Sequence, residues 1–318
     1  MSTSDMEYPE KYEDFLEWFG TEEDCVNYIA KLKWPNGFIC PKCKSGKAWS
    51  TAKKLMHCSN CGHQTSITAG TVFQGTRKSL RLWFHVMWWV VSQKTGCSAL
   101  TLKNVMGFDS YETAWTWLQK LRRVMVRPGR EMMSGSVEVD ETYLGAEEEG
   151  IPGRGSEKKI LIVVAVEVKA EHMGRVRFRC IKNASAEQLL PFIADNIAKG
   201  STVITDGWSG YNQVAAKGYT HVVHKISASD QTADELLPNV HIVISLVKRW
   251  LLGTHQGAAS EKHLQCYLDE YSFRFNRRLS THRGKLFYRL MQLSVLQKAQ
   301  TMDEITEKSK QRRAQILD

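Results

Sequence analysis

A mixed α/β (α+β) chain in three parts is predicted: a small cysteine-bearing ribbon, a helical segment and a mixed-sheet domain. Three observations predict it. Four cysteines near the start fall into two Cys-x-x-Cys pairs. Helical periodicity runs through residues 67–130, and at Ser134 it gives way to the two-residue alternation of strands. Beyond that point the pattern reads as three strands, a helix, a strand, a turn, a strand and a helix.

Residues 1–37 read as a helical lead-in. Apolar residues recur in EDFLEWF and in CVNYIAKL, Thr21 is placed to cap the second run, and Glu22 to Asp24 fill its first turn. Trp34-Pro35-Asn36-Gly37 is a turn. Residues 38–66 carry the cysteines: Cys40 and Cys43 in CPKC, Cys58 and Cys61 in CSNCG. The 14 residues between the pairs fall just short of the spacing usual for a four-cysteine zinc ribbon. Two such knuckles supply the four soft ligands of a tetrahedral Zn²⁺, a structural rather than a catalytic ion. The absence of a secretion signal and the CxxC spacing argue against disulfides. The basic stretch 47–54 is expected to be a fingertip loop between strands.

Residues 67–130 read as helical. SLRLWFHVMWWVVSQ (79–93) is apolar on nearly every side and is expected in the core. Residues 98–125 look like two helices broken at Gly107, with Ser110 capping the second and Lys120, Arg122 and Arg123 on its polar face. A short helix, a glycine turn and a longer basic helix form the pattern of a DNA-binding helix-turn-helix.

Residues 134–278 form the sheet domain. In SVEVDETYL (136–144), Val137 and Val139 share one face, Glu138 and Asp140 the other. KKILIVVAVEV (158–168) is a long apolar strand, and RVRFRCIK (175–182) a half-exposed or edge strand. The Gly-rich, charged loop joining the first two strands is expected to be mobile. A helix is expected from Ser185 to Gly200, strands at 201–206 and 220–226, a polar loop at 227–239, and helices at 240–255 and 263–278, the former ended by Gly253 or Gly257. Residues 279–318 are assigned to a helical, charged tail. This order is that of an RNase H-like domain.

In such a sheet the first and fourth strands are neighbours, so Asp140 and Asp206 would converge. Paired carboxylates suit hard divalent cations, and two metals about 4 Å apart can activate a water or 3′-OH and stabilise the leaving oxygen of a phosphodiester. The bland alternative is two unrelated surface or cap residues.

The segments WPNGFICPKC, HCSNCGHQTSITAGTVFQGTRKSLRLWF, SYETAWTWLQKLRRVM, VEVDETYLG, STVITDGWSGY and VKRWLLGTHQGA resemble, in order, a DDE-type insertion-sequence transposase of the family that carries an N-terminal zinc ribbon. The resemblance implies Mg²⁺-dependent hydrolysis at element ends followed by strand transfer, with Asp140 and Asp206 as the first two acids. The family pattern puts a glutamate on the helix after the last strand, seven residues before a basic residue on the same helix face. Here Lys248 matches the basic residue, and the third position falls on His241. An imidazole is a softer ligand than a carboxylate and hints at Mn²⁺ tolerance. Asp234 and Glu235 are the rivals for the third role; Glu138 and Glu141 read as supporting acids. Lys248 and Arg249 are placed to bind phosphates. Trp208 and Tyr211 could stack on a base, although at least one is expected in the core.

The net charge of +9 and a pI near 9.1 suit double-stranded DNA as partner, both element ends and target. A homodimer or larger homo-oligomer is expected, because two ends must be paired. No run of about 18 uncharged apolar residues occurs, and the acidic, polar start is unlike a signal peptide. A cytoplasmic bacterial setting, at the nucleoid when bound, is therefore expected, with no membrane partner. Two other functions remain open: a zinc-ribbon DNA-binding protein with an inactive catalytic domain, and a structure-specific nuclease of the same fold.

Overall fold

The computed structural model describes residues 8–52, 54–127, 129–145, 159–224, 233–255, 261–298, 300–302 and 304–305. Most of the expected mobile loop after Leu144, the polar stretch up to 232, Gly257 and the charged tail lie outside the described residues. The chain divides into two compact units, residues 1–127 with 279–318, and residues 128–278. Among the described residues no helix is long and apolar enough to cross a membrane.

In the first unit, α1 (Tyr12–Trp18) and α2 (Glu22–Lys33) are separated by a reciprocal cap. The Thr21 hydroxyl accepts the N–H of Asp24, and the Asp24 carboxylate accepts the N–H of Thr21. Helix α3 (Leu80–Ser92) starts at Ser79, whose hydroxyl accepts from Leu82. Glu22 reaches over from α2 to take the N–H groups of Leu80 and Arg81, placing an anion at the positive end of that helix. Helices α4 (Ala99–Met106) and α5 (Tyr111–Val124) are broken at Gly107, which takes the left-handed φ of 65°. Ser110 caps α5 as expected. Trp83 of α3 and Trp117 of α5 stack at 3.6 Å.

Two expectations are corrected in this unit. Strand β1 (Ala48–Ser50) occupies part of the supposed fingertip loop; it pairs with β2 (Leu55–Cys58), which pairs with β3 (Gln64–Ser66). The expected helical tail does hold a helix, α10 (Arg283–Leu296), but it is a core helix rather than a tail. Leu286, Phe287, Leu290 and Met291 recur at helical spacing and are buried, and the Phe287 ring meets Phe15, Phe19 and Phe84.

The second unit is a five-stranded sheet: β4 (Ser136–Leu144), β5 (Ile160–Val168), β6 (Met173–Cys180), β7 (Thr202–Asp206) and β8 (Thr220–His224), ordered β6-β5-β4-β7-β8. The first three strands are antiparallel, and β7 and β8 add in parallel. This is the RNase H-like arrangement. Helix α6 (Ala186–Asn196) packs on the face that carries Val137, Val139 and Val203. It stops at Asn196 rather than Gly200, because Ile197 turns extended and bridges to Met133. The other face is covered by α8 (Pro238–His255) and α9 (Glu261–Phe275), through Val240, Val243 and Val247 and through Leu264 and Leu268. A short α7 (Ala233–Leu236) precedes α8 inside the expected loop, and Gly253 lies within α8 instead of ending it.

Strand β6 is an edge, but part of its outward backbone is taken up by Gln265 of α9 and by Asn276, the residue after that helix. Asn276 accepts the N–H of Val176 and donates to its carbonyl; Gln265 does the same for Cys180 N–H and Phe178 carbonyl. Nearby, the carboxylate of Glu167, 2% exposed, accepts from Arg175 and from the N–H groups of Ser134 and Arg175. Burial is the largest single influence and pushes this carboxyl up, but those bonds together outweigh it and bring it to about 2.

Candidate functional site

The register places the two aspartates. Strands β4 and β7 pair Ser136 with Thr202, Val137 with Val203 and Glu138 with Ile204. Two residues further along each strand the side chains return to the same face, so Asp140 comes level with Asp206. Both belong to the face covered by α8. Val137 and Val139, which alternate with Glu138 and Asp140, are buried on the opposite face, and a one-residue slip that moved Asp140 to the other side would expose both valines.

Helix α8 is tied to this spot by a residue whose role the sequence did not reveal. Glu138 is 4% exposed, and its carboxylate accepts the N–H of Val240 at 2.8 Å and the side-chain amide of Asn239 at 2.7 Å. A buried carboxylate at a helix N-terminus satisfies a free N–H and complements the helix dipole. Pro238 at the first helical position suits that start. With the helix so anchored, His241 follows Val240 and brings Nε2 to 3.5 Å from Asp140 Oδ2. The only signal in the sequence was an acid two residues before Asp140 on the same strand face; its partner lies a hundred residues away.

Burial is the largest influence on Asp140 and pushes it up. The N–H of Glu141 and the charges of His241 and Lys248 pull it down, and the Asp206 carboxylate raises it again, to about 6. Lys248 and Arg249 are both exposed on α8. The Asp206 carboxylate accepts the N–H of Trp208 at 3.0 Å, and the Trp208 indole donates to the Ala184 carbonyl at 2.6 Å. Trp208 remains 41% exposed, whereas Tyr211 is a core aromatic whose hydroxyl donates to Glu141 on the far face of the sheet. Burial, then Glu141, hold that hydroxyl well above its ordinary pKa. Of the rivals for the third role, Glu235 is exposed on α7, and the Asp234 side chain lies outside the described residues.

The cysteines form a second centre. The sulfurs of Cys40, Cys43, Cys58 and Cys61 all lie within 4.8 Å of one another. Cys40 Sγ is 3.7 Å from Cys61 Sγ, and Cys43 Sγ 3.5 Å from Cys58 Sγ. Zn–S bonds of about 2.3 Å in a tetrahedron set sulfurs roughly 3.8 Å apart, so the set fits zinc. Each knuckle closes alike: the N–H of Lys44 donates to the Cys40 carbonyl and that of Gly62 to the Cys58 carbonyl, and both residues take positive φ, 63° and 68°. Among the described residues this is the one set of three or more such donors packed so closely. Asp140, Asp206 and His241 form a more open arrangement. That suits a Mg²⁺-like ion, which takes one or two protein carboxylates and completes its shell with water and phosphate.

Residues 132–276 match the family model of the ISXO2-like transposase domain, and residues 20–64 that of the transposase zinc-ribbon domain. The chain belongs to the zinc-ribbon insertion-sequence transposases. This transposase is 25% identical over 282 residues, 81% of its length and 92% of the relative's, to an uncharacterized protein in transposable element ISH50 of Halobacterium salinarum. Among solved structures it is similar to the catalytic core domain of BIV integrase (15% identity, 49% of this chain and 94% of that chain, TM-score 0.30). It is also similar to the Mos1 transposase paired-end complex with left transposon end (9% identity, 73% and 78%, TM-score 0.29). The strand order above, rather than these scores, fixes its sheet as RNase H-like.

The helix-turn-helix side chains of the transposase need a correction. Arg122 is 2% exposed and donates to the Cys97 carbonyl, so it is not free to meet a phosphate. It falls one helical turn after Leu118 and beside Leu121, inside the buried stripe of α5. Lys120 and Arg123 are half-buried, and burial lowers the pKa of Lys120. Among the described residues, the exposed positive charge of the ribbon lies at Lys42, Lys44, Lys47 and Lys54.

Proposed function

We propose that this transposase binds the terminal inverted repeats of its element and catalyses metal-dependent strand cleavage and strand transfer at Asp140, Asp206 and His241. The observation that carries the proposal is the level placement of Asp140 and Asp206 on neighbouring parallel strands, with His241 Nε2 beside Asp140. These three would hold Mg²⁺ or Mn²⁺, which when bound polarises the phosphodiester and activates the attacking water or 3′-OH.

The chain's own groups supply the rest. Glu138 holds the start of α8 so that His241 stays over Asp140. The turn N–H at Trp208 orients the Asp206 carboxylate. Lys248 offers a point charge to a phosphate of the bound strand, and Arg249 a bidentate contact. Exposed ribbon lysines add sequence-independent attraction, so binding weakens as salt rises. Pairing of two ends implies a dimer or larger assembly.

The test is a labelled element end with purified protein and Mg²⁺ or Mn²⁺. Metal-dependent nicking and joining are expected. Binding without either reaction would leave a DNA-binding module, and cutting of branched DNA without preference for a terminal repeat would make it a nuclease. His241→Ala is expected to impair the reaction; full activity there would move the third role to Asp234 or Glu235.

A further inference from the structure

Between Asp24 and Asp109 the chain has no acidic side chain and twelve lysines and arginines. The ribbon lies within that stretch, and its small sheet presents an unusual face. Register sets Trp49 opposite His57 and His57 opposite Gln64, so the three form one row across three strands. The Trp49 ring lies on the His57 imidazole with centroids 4.3 Å apart and planes 20° apart. Gln64 Nε2 pairs with His57 Nδ1 at 3.1 Å and fixes the imidazole in turn. Trp49 is nevertheless 52% exposed: the imidazole covers one side of the indole and solvent has the rest. The buried residues of this sheet, Cys58 and Thr65, lie on the opposite face.

Charge surrounds that row. Lys47 stands two residues before Trp49 on the same face, its carbonyl accepting the N–H of Ser59 to continue the β1–β2 ladder. Lys54 sits in the turn at the tip, where its N–H donates to the Thr51 carbonyl. Both lysines are exposed.

We infer that this face is a stacking platform for an unpaired DNA base, with Lys47 and Lys54 holding the flanking phosphates. A pre-oriented, exposed indole offers a π-face that any base can stack on, and stacking of that kind tolerates sequence. Positive charge undiluted by a single acid selects a polyanion. A duplex buries its base faces, so the occupant is a frayed end or a single strand. The inference rests on the transposase reading for its choice of DNA.

The test uses the full-length, zinc-loaded protein without Mg²⁺ or Mn²⁺, so that catalysis plays no part. The probes are a labelled oligothymidylate and a blunt duplex. Trp49→Ala is expected to weaken oligothymidylate binding about tenfold and duplex binding less than about twofold. Trp49→Phe keeps most of the affinity. Lys47→Gln with Lys54→Gln weakens both and flattens the salt dependence. Unchanged zinc content confirms that the ribbon is intact. Parental binding of oligothymidylate by zinc-retaining Trp49→Ala overturns the inference, and so does an equal loss on both probes. Should Trp49→Ala shed zinc, Trp49→Phe against Trp49→Leu decides, and equal affinity of those two overturns it. Unaltered protein that binds duplex but no oligothymidylate defeats this inference alone; binding of neither defeats the transposase reading as well.

Discussion

Cys40, Cys43, Cys58 and Cys61 are gathered by two tight turns of one short stretch, whereas Asp140, Asp206 and His241 meet only because three elements pack. The first set needs little more than its own spacing, since each knuckle closes on a local backbone bond. The second needs the β4–β7 register, the fixed side of the sheet and the anchorage of α8 by Glu138. A locally built centre is therefore lost by changing a ligand. A centre built by packing can also be lost by changing residues that touch no ligand.

The largest effect is expected at the local centre. Cys40→Ser removes one of four thiolates from a site whose zinc contributes on the order of 10 kcal/mol to folding of such a module. Zinc content by atomic absorption should fall well below that of the parent, and the β4–β8 unit should keep its own unfolding transition. Full zinc content would remove Cys40 from the site.

Next come Asp140→Asn and Asp206→Asn. Each should cut nicking and joining by roughly a thousandfold or more, because the lost contribution to transition-state stabilisation is several kcal/mol. Zinc and DNA binding should stay. Retained cleavage by either variant would take that residue out of the site.

Glu167→Gln separates fold from site within the same sheet. Its carboxyl is depressed from an ordinary 4.5 to about 2, so the stabilisation is full above pH 4.5 and fades as pH falls towards 2. The parent should lose up to about 3 kcal/mol of stability across that window and the variant should lose less. Parallel urea-unfolding curves for the two proteins between pH 5 and pH 2.5 would refute the assignment, with those pH values set roughly by the same linkage.

The smallest stability effect, about 1–3 kcal/mol, is expected from Glu138→Gln, which keeps the shape but loses charge-assisted bonds to Val240 and Asn239. The informative readout is the rate of metal-dependent nicking compared with Asp140→Asn. A clear drop in nicking with an intact fold supports control of His241 by the helix anchor, and an unchanged rate would show that His241 needs no such anchor.

Legibility in the sequence followed the same division. Thr21 and Ser110 are legible as caps because a cap acts within three residues, and the same local rule would have found Ser79. The alternation in SVEVDETYL gave the correct face for Asp140, since parity is a local property of a strand. Arg122 does not lie on the polar face expected for it, because the helical wheel sets it one turn after Leu118 and beside Leu121. The helix in residues 279–318 is legible, but its place in the core is not: Phe15, Phe19 and Phe84, which its Phe287 meets, lie about two hundred or more residues earlier in the chain. Glu138 could not be understood from neighbours, since what it binds begins at Asn239.

The side-chain amides of Asn276 and Gln265 also limit how this sheet can associate. They occupy both backbone groups of Val176, the Phe178 carbonyl and the Cys180 N–H, which an added strand would otherwise bond. At the opposite margin β8 carries the half-exposed Val222 and Val223. Of the two margins of this five-stranded sheet, only β8 is then left for strand-to-strand joining with an identical copy. Joining through that sheet alone would close at a pair, since a single free margin gives no second surface for a further copy.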